Sequence, residues 1–591
     1  MPDGDTDGGS ETGVDVDPVT LEVARNACAA VAEEMNATLV RTAYSPNVTE
    51  RRDCSCALFD AGGSLVAQAE NIPVHLGAMP FSVTAALEAF PPSELEPGDA
   101  VLLNDPFRGG AHLPDLTLVT PVFTDDAAGG DDPIAFVANR AHHADVGGSR
   151  AGGVAADSTE IYQEGLRIPP VKLYEGGEPN EGVFDTILAN VRTPDERRGD
   201  LRAQVAANET GAERYRELHV RYGGDLPAIT AAIQDYAERR TRAEIRELPD
   251  GEYAFADALD DDGRGTEDVR IEATVAVDDD GITVDFDGTA PQTRGPINAV
   301  FAVTASATYY AVRCVTDPDV PPNAGAYRPV EVRAPEGTVV NPDPPAAVVG
   351  GNLETSQRVT DVVLGALAAC APERAAAAGQ GTMNNVTFGG TDPREVREDD
   401  GSGRQWAFYE TGGGGAGAHA AGDGMDGVHV HMSNTLNTPV EVLETAYPLR
   451  VRRYTLRPDS GGAGAYRGGL GLRRDIEVRG ETQFSLLADR HRHRPYGLAG
   501  GEPGASGAAF HTPGDAGAGG DEVTERLPPK TTLDLDPGDV VSVRSPGGGG
   551  YGDPADRAAA GIKRDLRLGK LSAEAARERY GYEAADGENP E

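Results

Sequence analysis

Apolar positions at steps of three and four, Leu21, Ala24, Cys28, Val31, Met35 and Leu39, predict a helix with one buried stripe, entered at Asp17-Pro18. The pattern then shortens. Cys54–Phe59 and Ser64–Ala67 around Asp60-Ala-Gly-Gly predict a hairpin. Asn71–Met79 reads as a turn entering a helix that runs to about Ala89. Leu116–Phe123 and Ile134–Asn139, rich in Val, Thr, Ile and Phe, read as strands, and Asp125–Asp132 between them reads as a flexible acidic connection. Helical texture returns at 181–247, as Val183–Val191, Leu201–Tyr222 and Leu226–Leu248, and Pro249-Asp250-Gly251 closes it. From Tyr253 the runs Ala254–Ala258, Val269–Val277 and Ile282–Phe286, split by acidic glycine turns, predict a β meander. Ala299–Val315 reads as a buried small-residue helix, and another starts within Val348–Gln357 and runs to about Ala371. The last third is β-rich and glycine-rich, and Asp556–Arg579 forms a helical tail.

These textures give a large mixed α+β chain. Residues 1–16 are acidic, Gly-rich and expected to be disordered. The expected units are 17–250 (α+β), 251–450 (α/β), 451–555 (β-rich, glycine-rich) and the helical tail 556–591.

The strand pair carries the first chemistry. If Leu116–Phe123 and Ile134–Asn139 are antiparallel, the midpoint of 115 and 142 falls inside the acidic gap. The start of one strand then lies beside the end of the other. His112 and Asp115 would meet His142 and His143, a candidate site for a divalent cation. With only 11 His in the chain, such clustering is informative. Asp53 precedes the first predicted strand beside Arg51 and Arg52, and reads either as a salt-bridged structural carboxylate or as a further ligand. His75 reads as a core histidine or a partner of the site. Glu164, in Asp157–Gly165, is an acid/base candidate, although such a run is also ordinary capping chemistry.

Other motifs are weaker. Cys54-Ser-Cys56 points two thiols the same way along a strand, for packing. His429-Val-His431 reads as a strand-like pair without a third ligand. Gly412–Gly417 formally contains GxGxxG, but no helix pattern follows, and no GxxxxGK[ST] exists. Composition adds solvent information. There are 52 Lys+Arg against 96 Asp+Glu, a net charge of −44, and the only lysines are Lys172, Lys530, Lys563 and Lys570. Such acidity resembles that of salt-adapted archaeal proteins and argues against nucleic-acid binding. Five cysteines without CxxC argue against a disulfide framework, and no leader or membrane-length apolar run is present, so the expectation is a soluble cytoplasmic protein.

Ten ordered stretches resemble one family: Ser45–Phe59, Ile72–Met79, Asn104–Asp115, Ala141–Gly148, Asp157–Gly165, Arg294–Asn298, Val348–Gln357, Asn434–Glu441, Arg467–Gly471 and Ser545–Pro554. The chain resembles the B subunit of the hydantoinase/5-oxoprolinase family, relatives of the acetone carboxylase α subunit. The resemblance implies an ATP-binding A subunit that phosphorylates the substrate carbonyl, so that ATP belongs to the partner. It implies a metal here, zinc or manganese, on Asp53, His112, Asp115 and His142. His142 is chosen over His143 because related sequences can carry an aromatic at the second position. His143 and Asp145 would then orient the ligands, and Glu50 or Glu164 would move protons. A homodimer within a hetero-oligomer is the expected assembly. The function implied is ATP-dependent opening of a small cyclic amide. The alternatives are a subunit of an acetone- or acetophenone-type carboxylase, with a third small zinc-ribbon-like partner, or a noncatalytic scaffold for the A subunit.

Overall fold

The computed structural model describes residues 16–69, 71–124, 132–396, 403–514 and 524–583. Residues 1–15, expected to be disordered, lie outside these, as does the Asp125–Asp132 connection except for its last residue. The chain is α+β, as its patterns predict.

A seven-stranded antiparallel sheet positions the site. Its strands are β1 (Cys54–Asp60), β2 (Leu65–Gln68), β3 (Ala100–Leu103), β4 (Asp115–Val122), β5 (Ala135–His142), β6 (Val171–Glu175) and β7 (Glu178–Pro179). They lie in the order β2-β1-β5-β4-β3-β6-β7. β4 and β5 pair with Asp115 opposite His142 and Val122 opposite Ala135, the register that the midpoint argument requires. β5 runs three residues beyond its predicted end, to His142, because β1 and β4 both pair with it there.

Helix Pro194–Tyr222 covers one face of β4 and β5, and helix Pro18–Thr42 packs on that helix. The predicted stripe is buried from Ala24 to Leu39, while Leu21 is half-buried. The helix–sheet contact is partly polar: Asn139 Nδ2 donates to the Gln204 carbonyl and to Asn208 Oδ1, each at 2.7 Å. Helix Pro73–Ala89 packs against helix Phe301–Val315. A second sheet of four strands, Gly251–Asp261, Glu267–Asp278, Gly281–Asp285 and Val330–Arg333, backs helix Ser356–Cys370. One buried apolar cluster reaches from Ile72 to Leu487 and takes in residues of both sheets.

Two further sheets, around Asn385–Val396 and Leu472–Val478, share a core of Phe388, Phe408, Ile476, Phe484 and Val541. Beside them, Ser545–Tyr551 runs extended through a glycine-rich bundle. Gly548, Gly549 and Gly550 N–H groups donate to the carbonyls of Gly469, Ala378 and Glu502 at 2.8–2.9 Å, three separate stretches of chain. A Cβ on Gly548 would collide with the Ala416 carbonyl. That close approach is the reason for the Gly-Gly-Gly-Gly run. No described helix is long and apolar enough to cross a membrane.

A buried His-Asp cluster as candidate metal centre

Backbone pairing builds the site. Asp115 opens β4 and His142 closes β5 as direct cross-strand partners, and such partners share a face. On the other side of β5, the His142 N–H donates to the Asp53 carbonyl at 3.0 Å. Asp53, His142 and Asp115 therefore form one row at a single end of the sheet. His112 joins from the turn before β4, which is closed by the Asp115 N–H donating to the His112 carbonyl at 3.0 Å.

His112 Nε2 lies 2.8 Å from Asp115 Oδ1, His142 Nδ1 lies 3.0 Å from the same oxygen, and the two nitrogens are 3.2 Å apart. Ligand bonds of ~2.0–2.2 Å at ordinary coordination angles set neighbouring donors ~3.0–3.4 Å apart. The triangle is close to that size. His112 and Asp115 are fully buried, and His142 is 2% exposed. Among the described residues no other group of three His, Cys, Asp or Glu converges in this way.

The hydrogen-bond pattern is one that a metal ion or a shared proton would complete. His112 Nδ1 faces the Val349 carbonyl at 3.3 Å. A carbonyl only accepts, so Nδ1 carries a proton, and in a neutral ring that leaves Nε2 as a lone pair. That lone pair faces a carboxylate oxygen, a second acceptor. Two buried acceptors this close repel each other unless a proton or a metal ion lies between them. Asp115 Oδ2 and His142 Nε2 are also buried without a hydrogen bond. Two imidazoles and a carboxylate suit zinc or manganese, so the residues fit a divalent metal. Burial raises the Asp115 carboxyl, but the surrounding imidazoles of His112, His75 and His142 outweigh it and hold the group well below the usual range. Burial depresses His142.

His75 stands between the two carboxylates, 3.2 Å from Asp115 Oδ2 and 4.0 Å from Asp53 Oδ1. Asp53 also pairs with Arg51 at 3.6 Å, so it borders the triangle and carries a structural ion pair at once. Sequence reasoning missed Tyr409. Its ring stacks on His142, with centroids 4.4 Å apart and planes 20° apart, and its hydroxyl donates to Asn385 Oδ1. The Arg51 guanidinium lies 4.9 Å from the Tyr409 ring centre and donates to the Tyr409 carbonyl and Thr411 Oγ1. Only a pairing across some 360 positions brings these residues here, and no local pattern announces it.

Other expected residues lie elsewhere. His143 turns to the opposite side, where its Nε2 is 3.0 Å from Gln204 Oε1, and burial and Arg197 push it down to about 4. The Asp145 carboxylate accepts from the Arg192 backbone and guanidinium. Neither touches the triangle, because β5 alternation faces His142 inward and leaves its neighbour to helix Pro194–Tyr222. Glu50 caps the short Pro46–Thr49 helix, and no hydrogen bond or ion pair joins its carboxylate to the cluster. Glu164 approaches indirectly. Its carboxylate accepts the Val348 and Val349 N–H groups at 3.0–3.1 Å and the Ser158 hydroxyl at 2.9 Å. Burial raises it to about 7 against those hydrogen bonds. It therefore fixes the peptide whose carbonyl fixes His112. His429-Val-His431 is not a strand: His431 has φ +52°, and His429 Nδ1 bonds Ser433 Oγ at 2.7 Å.

The hydantoinase B/oxoprolinase family profile matches residues 17–554. An uncharacterized protein of Methanocaldococcus jannaschii is 41% identical over 568 residues, covering 96% of each chain. 5-oxoprolinase 1 of Arabidopsis thaliana is 38% identical over 91% of this chain, which spans 42% of that protein. Among solved structures, the ATP-dependent caprolactamase from Pseudomonas jessenii matches with TM-score 0.86, 32% identity and 97% coverage of both chains. A nucleotide-free acetone carboxylase structure matches with TM-score 0.86 at 21% identity, over 97% of this chain and 81% of that one, a likeness of fold alone.

Proposed function

The chain belongs to the hydantoinase B/oxoprolinase family, and from that premise we propose that it is the metal-holding subunit of an ATP-dependent enzyme that opens a small cyclic amide. An A-type partner subunit spends ATP to activate the amide oxygen. The absence of GxxxxGK[ST] in this sequence is consistent with that division of labour. His112, Asp115 and His142 would hold zinc or manganese, with Asp53 the fourth candidate. When bound, such a cation supplies Lewis-acid polarisation of the activated group or a water of lowered pKa.

The chain's own residues do the rest. The Val349 carbonyl keeps the His112 proton on Nδ1, so that Nε2 faces the cluster as a donor. Tyr409 and Arg51 wall the site, and full burial excludes bulk water and strengthens every charge interaction within it. The single supporting observation is the His112 lone pair held against the Asp115 carboxylate. The test copurifies the chain with its A-type partner, measures bound metal, and assays ATP-coupled turnover on cyclic amides with and without bicarbonate. His112→Ala and Asp115→Ala are expected to lose both metal and turnover. Unchanged metal content and turnover in both variants would refute the proposal. Turnover that required bicarbonate would assign a carboxylase instead.

A further inference from the structure

The five-stranded sheet built on Leu472–Val478 ends on one side at strand Leu449–Leu456, which pairs with Leu472–Val478 alone. The start of its outer side is capped, because Glu444 Oε1 accepts the Val451 N–H at 2.8 Å. Farther along, the Arg457 N–H donates inward, to the Gly471 carbonyl at 2.8 Å. Antiparallel alternation then turns the N–H groups of Tyr454 and Leu456 outward. Leu472, opposite Leu456, faces the other way, its carbonyl accepting the Ser545 N–H at 2.9 Å. Among the described residues neither outward N–H has an acceptor.

The two faces of this edge differ in chemistry. On the face turned away from the core, Arg453 lies opposite Asp475 and Thr455 opposite Arg473. Arg473 takes Asp475 at 2.9 Å, and Arg453 stands off at 3.8 Å. Arg544 lies directly opposite Arg473 on the next strand, where like charges cost stability. Among the described residues no carboxylate pairs with Arg544 or with Arg450. Strand Leu449–Leu456 itself holds Arg450, Arg452 and Arg453 and no acid, in a chain where acids outnumber bases 96 to 52. The other face carries Tyr454 and Leu456, both exposed. The Tyr454 hydroxyl donates to Asn437 Oδ1 at 3.2 Å, which ties this face to the loop bearing the exposed Leu436. The Leu436 N–H donates to the Arg51 carbonyl at 3.0 Å, so the edge adjoins the wall of the His-Asp cluster.

Side chains of a strand alternate between two faces, so a strand laid along this edge sets every second residue beside the arginines and the others beside Tyr454 and Leu456. A second copy of the same strand would set arginines against arginines, which works against self-pairing. We infer that this edge accepts an added β-strand from a different protein, an extended segment whose residues alternate between acidic and apolar. Backbone bonds to Tyr454 and Leu456 supply affinity, and the two unlike faces supply the sequence preference. Neither the metal nor the cyclic-amide reading enters this inference.

The test uses the full chain and fluorescent peptides, with Kd read by polarisation. The probes are Gly-Glu-Val-Glu-Val-Glu-Val-Gly, its isomer Gly-Glu-Glu-Glu-Val-Val-Val-Gly, and the alternating peptide with Lys in place of Glu. The alternating acidic peptide is expected to bind about tenfold or more tighter than either control. Leu456→Pro removes an outward N–H and leaves the inner ladder intact, and should weaken that binding about tenfold. The double variant Arg450→Gln with Arg453→Gln should weaken it about fivefold. Thermal unfolding checks that each variant is folded, and the peptide comparison and the arginine variant stand if Leu456→Pro is not. The inference is overturned if the isomer or the Lys peptide binds as tightly as the alternating acidic one, or if the folded variants bind it like wild type. A single-stranded oligo-dT that binds tighter than the acidic peptide would overturn it in favour of a nucleic acid. Sedimentation of the chain alone supplies the last arm: a dimer that Leu456→Pro dissociates would make the occupant a second copy and overturn it as well.

Discussion

Glu164→Gln isolates the step from carboxylate to peptide to imidazole. In the wild type both Glu164 oxygens accept the Val348 and Val349 N–H groups, and one also takes the Ser158 hydroxyl. Glutamine keeps one acceptor and turns an NH2 toward groups that are themselves donors. At least one buried donor is then unsatisfied, at a cost of about 1–3 kcal/mol. The strain falls on the Val348–Val349 peptides, and Val349 holds His112 by its carbonyl. Loss of an outer partner of a metal ligand typically weakens metal about 10–100-fold, or roughly 1.4–2.7 kcal/mol. The assay is competitive titration of zinc and of manganese against a chelator, with thermal unfolding of the apoprotein in parallel. Glu164→Gln should lower both the metal affinity, by that factor, and the Tm. Asp145→Asn, which disturbs a carboxylate paired with Arg192, should lower Tm with metal affinity within about twofold of wild type. If Glu164→Gln lowers Tm as Asp145→Asn does but leaves the metal Kd unchanged, the peptide does not orient His112 and the reasoning fails.

His142→Ala should lose bound metal, whereas His143→Ala should keep it and show only a lower Tm, because His143 bonds Gln204 on the far face; metal content by elemental analysis separates the two. Burial, helped by Asp489, raises Glu354 to about 8. Between the ordinary carboxyl range and pH 8 the native state therefore binds more protons than the unfolded state, and stability falls as pH rises. Glu354→Gln should remove that slope, so its Tm relative to wild type grows from pH 5 to pH 8.5, and parallel curves would contradict the assignment. Gly548→Ala should abolish folding by driving a Cβ into the Ala416 carbonyl, while Gly224→Ala, where a Cβ meets open space, should leave Tm within about 2 °C.

Legibility followed the range of the interactions. Helix Pro18–Thr42 was readable because its stripe repeats within one element, and the end of helix Pro73–Ala89 was placed at its observed residue. His429-Val-His431 misled because alternation over three residues also occurs in a turn, and the left-handed backbone of His431 follows from the surrounding loop. Tyr409 and Arg51 were illegible as site residues, since Tyr409 arrives on a strand of another sheet and no spacing connects it to His142. Glu164 was visible as a carboxylate but not as a clamp on Val348 and Val349, which are nearly two hundred positions away.

The contrast between His142 and His143 shows where sequence is sufficient. Adjacent identical residues offer no chemical basis for choosing a ligand, and composition treats them alike. Register decides, because a one-residue slip of β5 against β4 would send His143 to the Asp115 face and His142 to Gln204. Three features hold the register. Cys54 pairs with Ala141 on one side of β5, Leu116 pairs with Ala141 on the other, and the Asn139 side chain is locked to Gln204 and Asn208 from the helix above. Slipping β5 would break all three and bury Arg140, now bonded to Thr117 and Ser82, against that helix. The identity of the candidate ligand is thus set by packing several residues away from it. Asn139→Leu, which removes the polar lock at nearly constant volume, should therefore cost stability first, and should disturb metal content only if register is lost with it.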